Sequence, residues 1–186
     1  MLTGCSKQDK AMQTALDLRT ALLEQGCSFT AELQAHLPDG TAEFTLQCAC
    51  APDGTATLNV TAPDTIAGIT ATVQPDGENA RFDDVALDFG LLADGQVAPM
   101  VLPQLLFSCW TGGYIREAGK DGAILSAVYL NGYGDRELAV EQWFTPEGIP
   151  TAADYWFGVD NIASVTISDF SLGAKHAEGD HAESGN

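Results

Sequence analysis

Positive charge is what this sequence has least of. Its 186 residues carry 8 Lys+Arg against 26 Asp+Glu, a formal net charge of −18. A surface this acidic repels phosphate backbones and anionic headgroups, which excludes a nucleic-acid binder and a protein held to membranes by a basic patch. Long apolar runs are also missing. No stretch reaches the roughly 18 residues that a membrane-crossing helix needs. Histidine is scarce: of three, only His36 lies in the body of the chain, while His176 and His181 stand near its end. Gly-x-Ser-x-Gly, His-Glu-x-x-His, phosphate-cradling glycine loops and calcium loops are all absent. A Ser or Cys nucleophile would need a positioned base, and His36 beside a turn is a poor candidate. The chain is therefore expected to be a non-enzyme without a cofactor.

What is present is globular. Hydrophobic residues make up 45% of the chain, enough for one domain with a sizeable core. The chain opens Met1-Leu2-Thr3-Gly4-Cys5. Leu-Thr-Gly-Cys resembles the lipobox of bacterial lipoproteins. There, small residues let the signal peptidase reach the backbone, and the cysteine sulfur takes the lipid. The basic and apolar segments of a full signal do not precede it, so the chain reads as trimmed. Cys5 is the expected lipidation site, with residues 1–8 as lipobox remnant and tether and the protein held outside the cytoplasm at a membrane surface.

Residues 9–25 carry Met12, Ala15, Leu16, Arg19, Leu22 and Leu23 at helical spacing, with Arg19 interrupting the stripe and Gly26 as the stop. The period then changes to two. Phe29–Leu37, Thr41–Ala51 and Thr55–Thr61 alternate apolar and polar residues. Pro38-Asp39-Gly40 and Pro52-Asp53-Gly54 separate them, and a third copy stands at Pro75-Asp76-Gly77. Each is a hairpin signal, since Pro presets the first corner and Gly accepts positive φ. Further strands are expected at 66–74, 79–82, 85–89, 113–118, 123–130, 136–145, 151–158 and 162–170, with Gly68 inside a strand as a bend or bulge. Val97–Trp110 is too continuously apolar for a loop and reads as a buried helix with Pro103 in its first turn. Residues 173–186 read as a polar tail, where His176 and His181 are better explained by solvation than by metal binding.

The order of these elements resembles the lipoprotein carrier superfamily of bacterial envelopes, the LolA-like proteins, and in particular their Gram-positive relatives. Phe29–Val60, Ala62–Val73 and Ile162–Phe170 carry the likeness. The resemblance implies a mainly β (α+β) fold over residues 9–172, a strongly curved antiparallel sheet forming an unclosed half-barrel with helices over its concave face. It also implies lipid or other hydrophobic ligand binding between sheet and helices. One departure is that the first two strands lack the arginine that holds the helical lid in the carriers.

By alternation, Leu33, Phe44, Leu46, Leu58, Leu138, Val140 and Phe144 face inward. Leu102, Leu105, Leu106 and Trp110 of the second helix are set against them, giving the candidate ligand-binding set. The alternative is that these residues fill the core, leaving an envelope interaction or signalling module that acts on another protein. Cys48 and Cys50 share one strand face. A soft metal, a Cys27–Cys50 or Cys48–Cys109 disulfide, and four free buried thiols are the options there. Trp143 and Trp156 read as a cross-strand pair.

The lipobox reading has a direct consequence. Expressed with a full signal in a native host, the protein should partition into detergent, and Cys5→Ser should release it to the aqueous phase.

Overall fold

The change of period at Gly26 marks a real boundary. In a computed structural model that describes residues 6–37, 40–75, 79–82, 85–88, 99–132 and 137–173, helix α1 spans Ser6–Gln25 and gives way to strand β1, Cys27–Leu37. The Gly26 amide closes the helix on Leu22 O at 2.8 Å. Its φ of +69° and the closeness of the Cys50 carbonyl to any added Cβ leave glycine as the residue that fits. The helix begins at Ser6, so residues 6–8 are helical. Its buried face is Ala11, Ala15, Leu18 and Leu22, at i, i+4, i+7 and i+11. The expected stripe is rotated relative to this: Leu16 and Leu23 are 40% and 52% exposed.

Strands β2 (Gly40–Cys50), β3 (Ala56–Ala62), β4 (Thr70–Val73), β5 (Asn79–Phe82) and β6 (Val85–Asp88) continue from β1 as an antiparallel meander. The β1–β2 register runs from Cys27↔Cys50 to Leu37↔Gly40, as the first Pro-Asp-Gly requires. At the second, Gly54 N donates to Ala51 O at 2.9 Å and Thr55 N donates to Asp53 Oδ1 at 2.9 Å. The strand expected at 66–74 is shorter than its apolar run. Pro63 O accepts from Ile66 N, and Gly68, at φ +88°, donates to Val60 O, so residues 63–69 turn back before β4 starts. Gly68 thus closes the turn ahead of β4 and lies outside the strand expected to contain it, while it and Ile69 both bond Val60 in the manner of a bulge.

A 3-10 turn at Pro99–Val101 leads into helix α2, Leu102–Gly112, with Pro103 in its first turn as expected. A second meander follows: β7 (Tyr114–Asp121), β8 (Ile124–Asn131), β9 (Leu138–Phe144), β10 (Pro150–Phe157) and β11 (Asp160–Leu172). The last strand returns beside the first, giving one eleven-stranded antiparallel sheet in the order β6-β5-β4-β3-β2-β1-β11-β10-β9-β8-β7. Its edges, β6 and β7, do not pair, so the barrel is unclosed.

Both helices lie on one face. Helix α2 touches β2 on one side and β8 on the other, five strand spacings apart in the sheet order. In a flat sheet that is about 24 Å, against about 16 Å for a helix of this length. Curvature brings the two within reach of one short helix. Register shifts that leave an extra residue on β3, β7, β10 and β11 supply local bending, because an extra residue on one strand sharpens its twist. The mainly β half-barrel expected from the sequence is the observed fold.

Arg19, the break in the α1 stripe, has a specific task. Its Nε donates to Trp110 O at 2.8 Å, and its Nη2 donates to Gly113 O at 2.5 Å and Cys109 O at 3.4 Å. The last carbonyls of a helix lack partners within it and sit at the negative end of its dipole, so a guanidinium is well matched to them. Arg19→Ala should lower unfolding free energy by about 2 kcal/mol, read by urea denaturation. Leu16→Ala, on the exposed side, should stay within about 0.5 kcal/mol of the parent.

Candidate functional site

The interior between sheet and helices was the expected ligand site, and its residues converge as the alternation implied. Leu33, Leu46, Leu58, Leu102, Leu106, Trp110, Leu138, Val140 and Phe144 are each at most 5% exposed, and all belong to one hydrophobic cluster. Phe44 and Leu105 are partly buried and pack against that cluster. Trp110 sits among them with its ring edge-on to Phe29 (centroids 5.7 Å apart) and to Phe170 (6.1 Å). Its Nε1 donates to Gln142 Oε1 at 3.1 Å, and Gln142 Nε2 is itself fixed on Trp143 O. A buried glutamine in an apolar strand face is thereby satisfied at both ends.

The start of α2 is held too. Tyr155 Oη donates to Leu102 O at 2.9 Å, and Gln104 Nε2 donates to Ser108 Oγ at 2.9 Å and Pro75 O at 3.2 Å. Together with Arg19 at the far end, α2 is fastened to α1, β9, β10 and the segment after β4. Arginine does hold the helix here, but from α1 and not from the first strands.

Four thiols lie in the same interior. Cys27, Cys48, Cys50 and Cys109 are free and buried. Cys27 and Cys50 are cross-strand partners, as counting from the turn implied. Burial raises the Cys48 thiol well above its ordinary range and pushes Cys109 up to about 12, the latter opposed by the Asn131 side chain and the Arg19 charge. Protonated thiols of this kind behave as small hydrophobes. No three His, Cys, Asp or Glu side chains gather to hold a metal among the described residues. His36 is exposed near the end of β1. Cys5, His176 and His181 lie outside the described residues.

Trp143 and Trp156 do not form the expected cross-strand pair. Trp143 stands opposite Ala152 and Trp156 opposite Ala139. The β9–β10 register sets the two rings four residues apart along the strands, and that register depends on the connection at residues 145–149.

The outer face holds what sequence reasoning missed. A cleft of about 370 Å³ crosses β11, β1 and β2 and ends at Ala62 and Pro63. Two cross-strand rows border it. Thr166, Glu32 and Thr45 form one, and Ser164, Gln34 and Glu43 the other. Gln34 Nε2 donates to Glu43 Oε1 at 3.2 Å. The second row continues through Asp154 to Glu141. Partial burial raises the Glu141 carboxyl above its ordinary value, and the neighbouring Asp154 and Glu117 charges add to this while Arg116 opposes it. No Lys, Arg or His lines the cleft. Alternating polar residues were the available signal, but alternation alone also describes any wet sheet face.

No family model matches the chain, and no curated protein matches it. Solved structures do resemble it. A conserved protein from Thermus thermophilus is 11% identical, with 88% of each chain covered and a TM-score of 0.45. A DUF1329 family protein from Desulfovibrio piger is 9% identical, covering 94% of this chain and 95% of that one, with a TM-score of 0.43. A LolA superfamily protein from Nitrosomonas europaea is 12% identical, covering 92% of this chain and 96% of that one, with a TM-score of 0.42.

Proposed function

We propose that this chain is a lipid-anchored, extracytoplasmic protein of the lipoprotein carrier type whose interior is closed and which works by contact of its outer surface with another protein. One observation carries the reading. The residues that would line a ligand pocket are packed against one another, nine of the eleven at 5% exposure or less. The helix that would act as a lid is held at both ends by hydrogen bonds to three other elements. Admitting an acyl chain would mean breaking these bonds in an apolar interior, where an unpaired donor or acceptor costs about 1–3 kcal/mol.

Anchoring at Cys5 fits the start of α1 at Ser6. A lipid there would hold the N-terminal end of a 20-residue helix, about 30 Å long, at the membrane surface. The net charge of −18 keeps the rest of the protein off anionic headgroups and leaves the outer sheet face free for a partner.

A second reading has its own support. Phe44 and Leu105 are incompletely buried, as are Met100, Ile66 and Ile69. If α2 swung outward, the same eleven residues would line a space for a hydrophobic ligand, each buried methylene contributing about 0.8 kcal/mol.

Titration of the full chain with an environment-sensitive fatty-acid probe separates the two. The closed-core reading expects no saturable binding across several chain lengths, and a native mass unchanged by solvent extraction. Saturable binding that Leu46→Arg or Leu105→Arg weakens in folded variants would overturn it in favour of the ligand carrier.

A further inference from the structure

The outer cleft is formed where a strand leaves the sheet. Strands β1 and β2 pair from Cys27↔Cys50 to Leu37↔Gly40. Strand β3 accompanies β2 only from Cys50↔Ala56 to Thr45↔Ala62. A register shift at Thr45/Leu46 and the Thr61 hydroxyl on Thr45 O, at 3.2 Å, end that pairing, and the chain turns away at Pro63. Gly40–Phe44 of β2 therefore has a strand neighbour on its β1 side alone among the described residues. Among the described residues its main-chain groups on the other side form an open sheet edge five residues long, which is a template for an added strand.

Charge selects the occupant. Glu32 and Glu43 are exposed at the cleft and lie diagonally across β1 and β2. Glu43 accepts a hydrogen bond from Gln34, whereas Glu32 has no hydrogen-bond or ionic partner among the described residues. The hydroxyls of Thr45, Ser164 and Thr166 add acceptors around them. A space of about 370 Å³ is near the small end of ligand sites. It suits one or two side chains with their backbone better than a folded domain.

We propose that this cleft docks an extended, lysine- or arginine-bearing segment of a partner protein. The segment pairs with the open edge of β2 and places a basic side chain between Glu32 and Glu43. This rests on the reading of the chain as a surface-contact module and names the chemistry of the partner.

Fluorescence anisotropy of a labelled ten-residue peptide of alternating lysine and threonine tests it on the full chain at low salt, beside a counterpart with glutamate for lysine. The lysine peptide should bind and the glutamate peptide should not. The double variant E32Q/E43Q should weaken binding about tenfold. E24Q/E147Q, which removes the same charge from exposed sites elsewhere, should weaken it less than about twofold. Amide exchange over Gly40–Phe44 should slow in the complex. Absence of lysine-peptide binding, equal weakening by both double variants, or displacement by spermidine without any slowing at Gly40–Phe44 would each overturn the proposal. A fatty-acid probe titrated into the same samples keeps the two readings apart. Saturable probe binding contradicts the closed core whatever the peptide does, and failure of the peptide with no probe binding overturns the cleft alone.

Discussion

An eleven-residue helix whose side chains include Leu102, Leu105, Leu106, Phe107 and Trp110 cannot be left in water, and the need to bury it shapes everything around it. The sheet curves so that β2 and β8 both reach it. Burial alone would leave its end carbonyls without partners, which costs more inside a protein than hydrophobic contact readily returns. Arg19 resolves that conflict by donating to the carbonyls at the C-terminal end, and Tyr155 adds a second tether by donating to Leu102 O in the first turn. The result is a helix that is both the centre of the core and a fixed part of it.

The two faces of the sheet divide the work. On the inner face, alternating residues of the central strands and both helices merge into one hydrophobic cluster. On the outer face, the same alternation presents Glu32, Glu43, Glu141 and Asp154 to solvent with few cations to offset them. Like charges opposite one another on neighbouring strands, as at Glu141 and Asp154, work against sheet stability. The buried face supplies the stability that lets the outer face keep this arrangement. The cleft follows from a local event in the inner architecture: β3 stops at Ala62, and the turn at 63–69 carries the chain to β4.

Much of the fold was legible because it rests on short-range rules. Period-two runs between Pro-Asp-Gly turns located β1, β2 and β3, and the continuous apolar stretch located α2. The inward residues Leu33, Leu46, Leu58, Leu138 and Val140 followed from parity alone. Failures occurred where the answer depended on a distant partner. Arg19 looked like a flaw in a stripe, since its acceptors lie about ninety residues away at Trp110 and Gly113. The buried face of α1 could not be placed because Leu16 and Leu23 have no less apolar character than Leu18 and Leu22. Gly68 sits in an apolar run that reads as strand, but its positive φ and the Ile69 N to Ile66 O bond place it in the turn ahead of β4. Trp143 and Trp156 were paired because their strands are neighbours, but the β9–β10 register sets them four residues apart. For the candidate sites, sequence could name the residues that meet between sheet and helix. Whether they enclose space or fill it is a matter of packing, which no pattern of residue types encodes. The outer cleft was invisible because it depends on where β3 ends.

The central claim is that α2 belongs to the rigid core and does not open as a lid. Native-state amide hydrogen exchange tests this most directly. The account predicts that amides of Leu105–Trp110 exchange only through global unfolding, with the same opening free energy as those of β1 and β11. Exchange of the α2 amides at a distinctly lower free energy, while the central strands remain protected, would reveal a helix that swings free and would contradict the closed interior.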